Sequence, residues 1–512
     1  MAIEALTLDD FAKGQNTYTR DTMIADNESP GALNVYGVGK NSIAKRPGTV
    51  LFCTIPGVSK VDGLGTFSLG ATKKQVAMAG GSLYDITSGS PVLIASGWTS
   101  GLKTDFCMAG AKLFIQNGTD VLKYYDGTTV ATQTNGIIGT NCIFYKSCLW
   151  TFGNSSSGNE TRLYRSGSDA SIGDFTYNVS TNPLATSIYI SKDDGQKLKG
   201  LYKFQDFLYA VKERSLYRAA VAADSAGTIS LEMVDPSRGT DSHATIDSVE
   251  NDNFMFYEYG VLATGYEPNI LDQIRTNIVS TRIDPDIKSI QKSALPNTCG
   301  LYFDQRYHLS YASGGSAYND TIHAYDRQRL GWWKWQLAAQ CFNSFKDGSG
   351  YTRMYFGSST DGKIYYFDDS SRSDNQLSFS TSWLSPKFSF KEYSREKFYL
   401  NTLLYMGKRT GTVTINIYVD GELINTEVVA IGSSGGGGIG VGAIGAFAIG
   451  AEPGNFQPAS NLGADFISVS VNKIGRNIQV EILEDEASGS WELNALVFQI
   501  KKLNPIYQPN TL

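Results

Sequence analysis

Apolar runs of strand length, each closed by a polar turn, recur through the first three quarters of the chain. Three of them are Ser82-Leu83-Tyr84-Asp85-Ile86, Leu122-Lys123-Tyr124-Tyr125-Asp126 and Arg162-Leu163-Tyr164-Arg165. Their tyrosines stand at 84, 124 and 164, so one pitch of 40 residues is repeated. Later copies are Leu216-Tyr217-Arg218, Ile322-His323-Ala324-Tyr325-Asp326 and Ile364-Tyr365-Tyr366-Phe367-Asp368, at looser spacing. A period of roughly 40–50 residues built only of strands predicts a β-propeller of about seven blades. No copy carries a Trp-Asp dipeptide, so the period itself carries this reading.

Between these runs the chain reads as strand pairs. Residues 75–79 turn at Gly80-Gly81 into 82–86, and 105–109 turn at Gly110 into 112–116. Residues 201–204 turn at Gln205-Asp206 into 207–211, and 254–257 lead to 260–263. The first convincing strand, 49–54, is placed to close the ring by pairing with the last blade, which would leave no open sheet edge. One short helix is expected near Asp284-Pro285-Asp286-Ile287, with Asp as N-cap and Pro at the first helical position.

Beyond the polar stretch Asp368–Asn375, which reads as a linker, the pattern changes to strict alternation. Val413, Ile415, Ile417 and Val419 fall on one face, and Asp420-Gly421 is a strong hairpin signal. Residues 467–471 and 477–483 alternate again, and 491–500 suggest a last pair of strands. This predicts a jelly-roll-type β-sandwich. The fold class is therefore all-β, with an N-terminal arm at 1–45, a propeller at 46–375 and a sandwich at 376–508. Within the sandwich, 432–450 is a Gly-rich apolar insert. Its Ile439, Val441, Ile444, Phe447 and Ile449 need cover from water, so they are candidates for a lumen-facing or inter-subunit loop.

Composition agrees with β structure. The 512 residues include 29 Tyr, 25 Phe and 53 Gly, and only 18% are charged. Net charge is −6, and no basic tract offers a phosphate grip, so DNA is not expected as a tightly held ligand. No signal-peptide pattern or transmembrane-length apolar run stands out. The six cysteines (53, 107, 142, 148, 299, 341) form no CxxC pair. They are expected to be reduced and buried. The three histidines (243, 308, 323) lack metal-ligand spacing, so neither a metal nor another cofactor is expected.

Two patterns could carry chemistry. Ser191-Lys192-Asp193-Asp194-Gly195 matches an Asp-box, which sialidases carry on propeller blades. The box itself is a turn in which Asp bonds its own backbone. Trp332-Trp333-Lys334-Trp335 could stack on a sugar, although three near-adjacent tryptophans more often fill a blade interface. No catalytic constellation stands out, and the chain is not expected to be an enzyme.

The arm carries a resemblance. Asp26-Asn27-Glu28-Ser29-Pro30, Leu33-Asn34-Val35 and Lys45-Arg46-Pro47-Gly48 resemble the opening of tail nozzle proteins of short-tailed bacteriophages. Residues 199–211 and Ile283-Asp284-Pro285-Asp286-Ile287 are also similar to parts of that family. The resemblance implies a virion structural protein that forms a hexameric ring below the portal adaptor. Such a ring extends the DNA channel, with DNA as passing cargo, and carries fibres or spikes. Implied partners are further copies of the chain, the head-to-tail adaptor, tail fibre or tailspike proteins, and needle or plug proteins. Membrane contact is implied only during ejection. Location would be the virion tail, assembled in the host cytoplasm. Asn27, Glu28, Asn34, Arg46 and Pro47 are the candidate assembly-arm residues. The alternative is a glycan-binding or glycan-hydrolysing propeller, sialidase-like or lectin-like. A buried cluster of arginines and carboxylates at the propeller axis would support that alternative, and a small-residue, uncharged axis would count against it.

Overall fold

The computed structural model describes residues 3–153, 158–222, 227–266, 274–407, 410–431 and 465–503. Strands make up 55% of the described residues and helices 4%, so the fold is all-β. The chain divides into two units. One comprises Val50–Arg327 and Gln336–Phe367, and the other Met1–Thr49, Gln328–Trp335 and Asp368–Leu512.

The first of these is propeller-like, a succession of small antiparallel sheets. The first sheet orders Gly63–Leu69, Thr72–Ala79, Ser82–Asp85 and Val92–Ser96. Four more four-stranded sheets follow, starting at Asp105–Ala109, Asn141–Tyr145, Leu198–Phe204 and Asp247–Val249. A sixth contributes Cys299–Phe303, Arg306–Tyr311 and Thr321–Asp326 to this unit. The seventh orders Ala339–Lys346, Thr352–Ser358, Lys363–Asp368 and then the early strand Gly48–Thr54. That early strand completes the last sheet, as its position in the sequence suggested. Just beyond it, Ile55 N donates to Gly362 O at 2.8 Å.

The repeating tyrosines mark one place in this plan. Tyr84, Tyr124, Tyr164, Tyr217, Tyr325 and Tyr365 each lie on the third strand of a sheet. The sequence period is therefore the distance from one sheet to the next.

The innermost strands form a ring. Gly63–Leu69 contacts Asp105–Ala109, which contacts Asn141–Tyr145, which contacts Leu198–Phe204. Asp247–Val249 contacts Cys299–Phe303, that strand contacts Ala339–Lys346, and the latter returns to Gly63–Leu69. Between the fourth and fifth sheets, the turn His243–Thr245 touches both Leu198–Phe204 and Cys299–Phe303. Glycine permits the close approach. A Cβ on Gly63 would lie 2.5 Å from Thr104 O, and one on Gly65 2.5 Å from Phe106 Cγ.

Each core lies between neighbouring sheets. Val76, Met78 and Leu83 of the first sheet pack with Leu113, Ile115 and Tyr125 of the second. Trp150, Phe152 and Leu163 of the third pack with Leu201, Leu208 and Tyr217 of the fourth. Ile55, Val61, Tyr355 and Ile364 close the circuit against Leu64 and Ala77. A strand covered on both faces is buried at every position, not at alternate ones. Cys148–Phe152 and Asp252–Tyr257 are accordingly buried throughout.

The short helix is Asp284–Lys288, with Pro285 in its first turn. Its N-cap is Ile283, however, and Asp284 is the first helical residue, where its charge complements the helix dipole.

In the other unit, one sheet orders Val35–Val38, Ser42–Lys45, Glu492–Lys502, Lys397–Met406 and Asp465–Gly475. Glu4–Leu8 also pairs with Glu492–Lys502. A second set orders Gly331–Gln336, Gly31–Leu33, Thr381–Leu384, Ile478–Glu484, Gly411–Val419 and Glu422–Ile431. Residues 1–45 thus supply strands to both sets and group with the C-terminal segment. The alternating face of Gly411–Val419 is buried as its pattern requires: Val413, Ile415 and Ile417 are 0% exposed. The turn that follows has Asp420 at φ 52° and Gly421 at φ 87°, the geometry of a type I′ hairpin. One expectation fails here. Residues 492–500 belong to one strand, Glu492–Lys502, not a pair, because they pair along their length with Lys397–Met406 and Glu4–Leu8.

Candidate functional site

The arm residues that carry the resemblance build a buried fastening inside their own unit. Arg46 is 0% exposed. Its Nη1 and Nη2 donate to Asp374 Oδ1 at 3.0 Å and Oδ2 at 2.5 Å. Nε donates to Asn34 Oδ1 at 3.0 Å, and Nη1 also reaches Pro47 O at 3.0 Å. The guanidinium lies 3.8 Å over the Phe379 ring. Asn34 sits at φ 55°, where Asn is among the few tolerated side chains, and its Nδ2 donates to Ser380 O.

Beside this clasp, Lys45 Nζ lies 2.9 Å from Glu484 Oε2, with both side chains fully buried. Burial pulls the Lys45 amine down and pushes the Glu484 carboxyl up, each opposed by the other's charge. Gly48 completes the motif, since a Cβ there would collide with Ser373 O. Glu28 is buried and accepts from Asn16 Nδ2 at 2.6 Å, and Asn27 Nδ2 donates to Asp10 at 2.7 Å. Pro47 is also buried. The structure therefore engages all five candidate arm residues within the chain's own fold. The segment read as a linker is pinned through Asp374, which also accepts from Thr49 Oγ1 at 3.0 Å.

The Asp-box is a structural turn. Asp194 Oδ1 receives Lys212 Nζ at 2.5 Å and Gln196 N at 3.0 Å. Lys212 also donates to Ile190 O and Ser191 O. Trp332, Trp333 and Trp335 are 0%, 0% and 2% exposed, so they pack and offer no sugar platform. All six cysteines are free. Among the described residues no metal-ligating cluster occurs, and no helix is long and apolar enough to cross a membrane. Ile439, Val441, Ile444, Phe447 and Ile449 lie outside the described residues.

The sequence did not reveal an axial cavity of about 650 Å³ in the propeller-like unit. It lies at the N-terminal ends of the innermost strands, where the chain crosses from each sheet to the next. Its walls carry the carboxylates Asp62, Asp105, Glu160 and Asp241, together with Lys103, Lys197, Lys199 and His243. Among the described residues no arginine lines it, unlike the axis a sialidase would need. Lys103 donates to Ser242 Oγ at 3.0 Å, Pro296 O at 3.3 Å and Thr298 O at 2.5 Å. Burial lowers its amine to about 8. Asp105 Oδ2 accepts from Cys142 N at 2.9 Å. Burial raises its carboxyl, and His243 opposes the rise. His243 Nδ1 accepts from Leu201 N at 3.2 Å, and burial holds the ring below the usual histidine range. Asp241 is pushed up to about 6 by burial. The signal for this site was spread over seven sheets, one or two ordinary residues at a time.

No family model matches the chain, and no curated protein does. Among solved structures it is similar to YCF48 bound to D1 peptide, at 8% identity and a TM-score of 0.37. That likeness covers 61% of this chain and 93% of the other. It is also similar to a chain from an S. cerevisiae complex of dbp5 with nup159, gle1, IP6 and ADP. There the identity is 10% and the TM-score 0.39, over 65% of this chain and 97% of the other. Likenesses this remote say nothing about activity.

Proposed function

We propose that the chain is a structural component of a bacteriophage tail, a ring-forming nozzle subunit that extends the DNA channel and carries fibres or spikes. On this reading the seven sheets are the blades of one propeller, and the two strand sets of the other unit form a jelly-roll-type sandwich. The observation that supports it most is the fastening at Arg46. Four of the residues by which the arm resembles nozzle proteins, Ser29, Asn34, Lys45 and Arg46, tie the early strands to Leu384, Ser380, Glu484 and Asp374. A part through which a genome passes gains from having its early strands tied to residues 374–484 within one unit. The acidic balance, −6 overall, suits a wall that DNA slides past.

The test is the symmetry of the purified protein in two-dimensional class averages, with its native mass. A sixfold ring is expected. A threefold assembly, as in fibres, or a monomer at every concentration overturns the proposal.

A further inference from the structure

The axial cavity is used by neither the fastening nor the proposed tail role, and one side chain crosses its rim. Lys103 stands just before the innermost strand of the second sheet, Asp105–Ala109. Its three acceptors belong to other sectors. Ser242 precedes the innermost strand of the fifth sheet, Asp247–Val249, while Pro296 and Thr298 precede that of the sixth, Cys299–Phe303. In a ring of seven, the fifth and sixth sheets are the pair opposite the second. A side chain that starts beside the second and bonds to both therefore spans the ring across its axis.

The two ends of this span differ in stiffness. On the acceptor side, Ser242 Oγ donates to Thr298 O at 2.7 Å and Thr298 Oγ1 to Leu295 O at 2.7 Å. Asn319 Nδ2 holds Asn297 O at 3.0 Å, and Ser242 and Thr298 are both buried. On the donor side is a single half-buried lysine stem, rooted beside Thr104, whose N donates to Asp62 O at 3.0 Å. Four flexible carbons make that stem the part able to move. All three of its acceptors are uncharged oxygens, so its release takes the ammonium from none of them as an ion pair.

Two thiols line the same cavity. Cys299 and Cys341 are among its walls and are 2% and 8% exposed. Burial pushes both thiols up, and the nearby Lys103 charge opposes the rise in each.

We propose that Lys103 is a latch across the axial cavity: seated on Ser242, Pro296 and Thr298 it bars this end, and when its stem swings away a small solute reaches the walls at Cys299 and Cys341. The latch belongs to the propeller-like unit alone and does not rest on the tail role.

The experiment is alkylation of the folded full chain with iodoacetamide in neutral buffer, followed cysteine by cysteine through peptide mass spectrometry. Cys53 and Cys148 are buried but do not line the cavity, so they report general loosening in the same sample. Lys103→Ala is expected to speed labelling of Cys299, Cys341 or both by roughly tenfold or more relative to these references. Removing the cation by itself would raise both thiols and slow their reaction, so a faster reaction reports access. Lys103→Arg keeps a cation of similar reach and is expected to label more slowly than Lys103→Ala. An unchanged ratio in Lys103→Ala overturns the proposal. So does equal acceleration of all four cysteines, or an arginine variant as fast as the alanine one.

Discussion

Replacing Arg46 with alanine tests whether the arm is held by a buried clasp or by main-chain pairing alone. The substitution removes two hydrogen bonds to Asp374, one to Asn34 and one to Pro47 O, with the stacking on Phe379. Adding four such bonds at the value of charge-assisted ones would overshoot, because part of each is recovered from water. Asp374 keeps 22% of its side-chain surface exposed and retains the Thr49 hydroxyl, so it is rehydrated in part. The loss belongs at the lower end of the range for breaking a buried pair, about 3–4 kcal/mol. For a unit of this size that lowers the melting temperature by roughly 6–16 °C. Urea unfolding followed by tryptophan fluorescence reads it directly. Five of the seven tryptophans (Trp332, Trp333, Trp335, Trp383, Trp491) belong to this unit, and all five are buried. Arg46→Lys keeps the charge but loses the planar fork, and should fall between wild type and alanine. The exposed pair Lys473–Glu422, at 3.3 Å with 46% and 75% of its side chains exposed, is the control. Lys473→Ala should cost under about 1 kcal/mol. If Arg46→Ala costs no more than this control, the clasp is solvated and the reasoning fails.

Three further outcomes are expected. Lys45→Met alone leaves Glu484 charged and buried and should cost about 3–5 kcal/mol. Adding Glu484→Leu should recover more than half of that in the same urea assay, and a double variant as weak as the single one refutes the desolvation argument. Gly65→Ala drives a methyl to 2.5 Å from Phe106 Cγ and should cost about 1–3 kcal/mol. Gly348→Ala, which meets nothing within 4 Å, should change stability by under about 0.5 kcal/mol. Equal melting temperatures for these two variants would contradict the close packing of the inner strands. Asp241 ionises at about 6 in the fold against an ordinary 3.8, so its contribution to stability is full below about 3.8 and is lost as pH rises towards 6. Asp241→Asn should therefore gain on wild type in melting temperature between pH 4 and 6 and run parallel above that. A difference that stays constant across this window counts against the raised value.

Local pattern determined the strands of this protein because strand formation is decided by neighbours two residues apart. The alternation of Val413, Ile415, Ile417 and Val419 identified both the strand and its buried face, and Asp420-Gly421 identified the turn, since that pair tolerates positive φ. The tyrosines at 84, 124 and 164 revealed the sheet-to-sheet distance because each occupies an equivalent third strand. The arm motif was equally visible, but its meaning was not. Arg46 finds Asp374 and Lys45 finds Glu484 across more than 300 residues, and nothing local to either partner announces the other. Trp491–Ile500 read as two strands because an apolar run gives no register, and only pairing with Lys397–Met406 and Glu4–Leu8 makes it one. The axial cavity was the least legible feature. Asp62, Asp105, Asp241 and His243 are unremarkable in their own segments, and only closure of the ring turns their side chains towards a shared space. Burial then raises the Asp62, Asp105 and Asp241 carboxyls and lowers the His243 ring, so their chemistry belongs to the tertiary structure and not to any stretch of the chain.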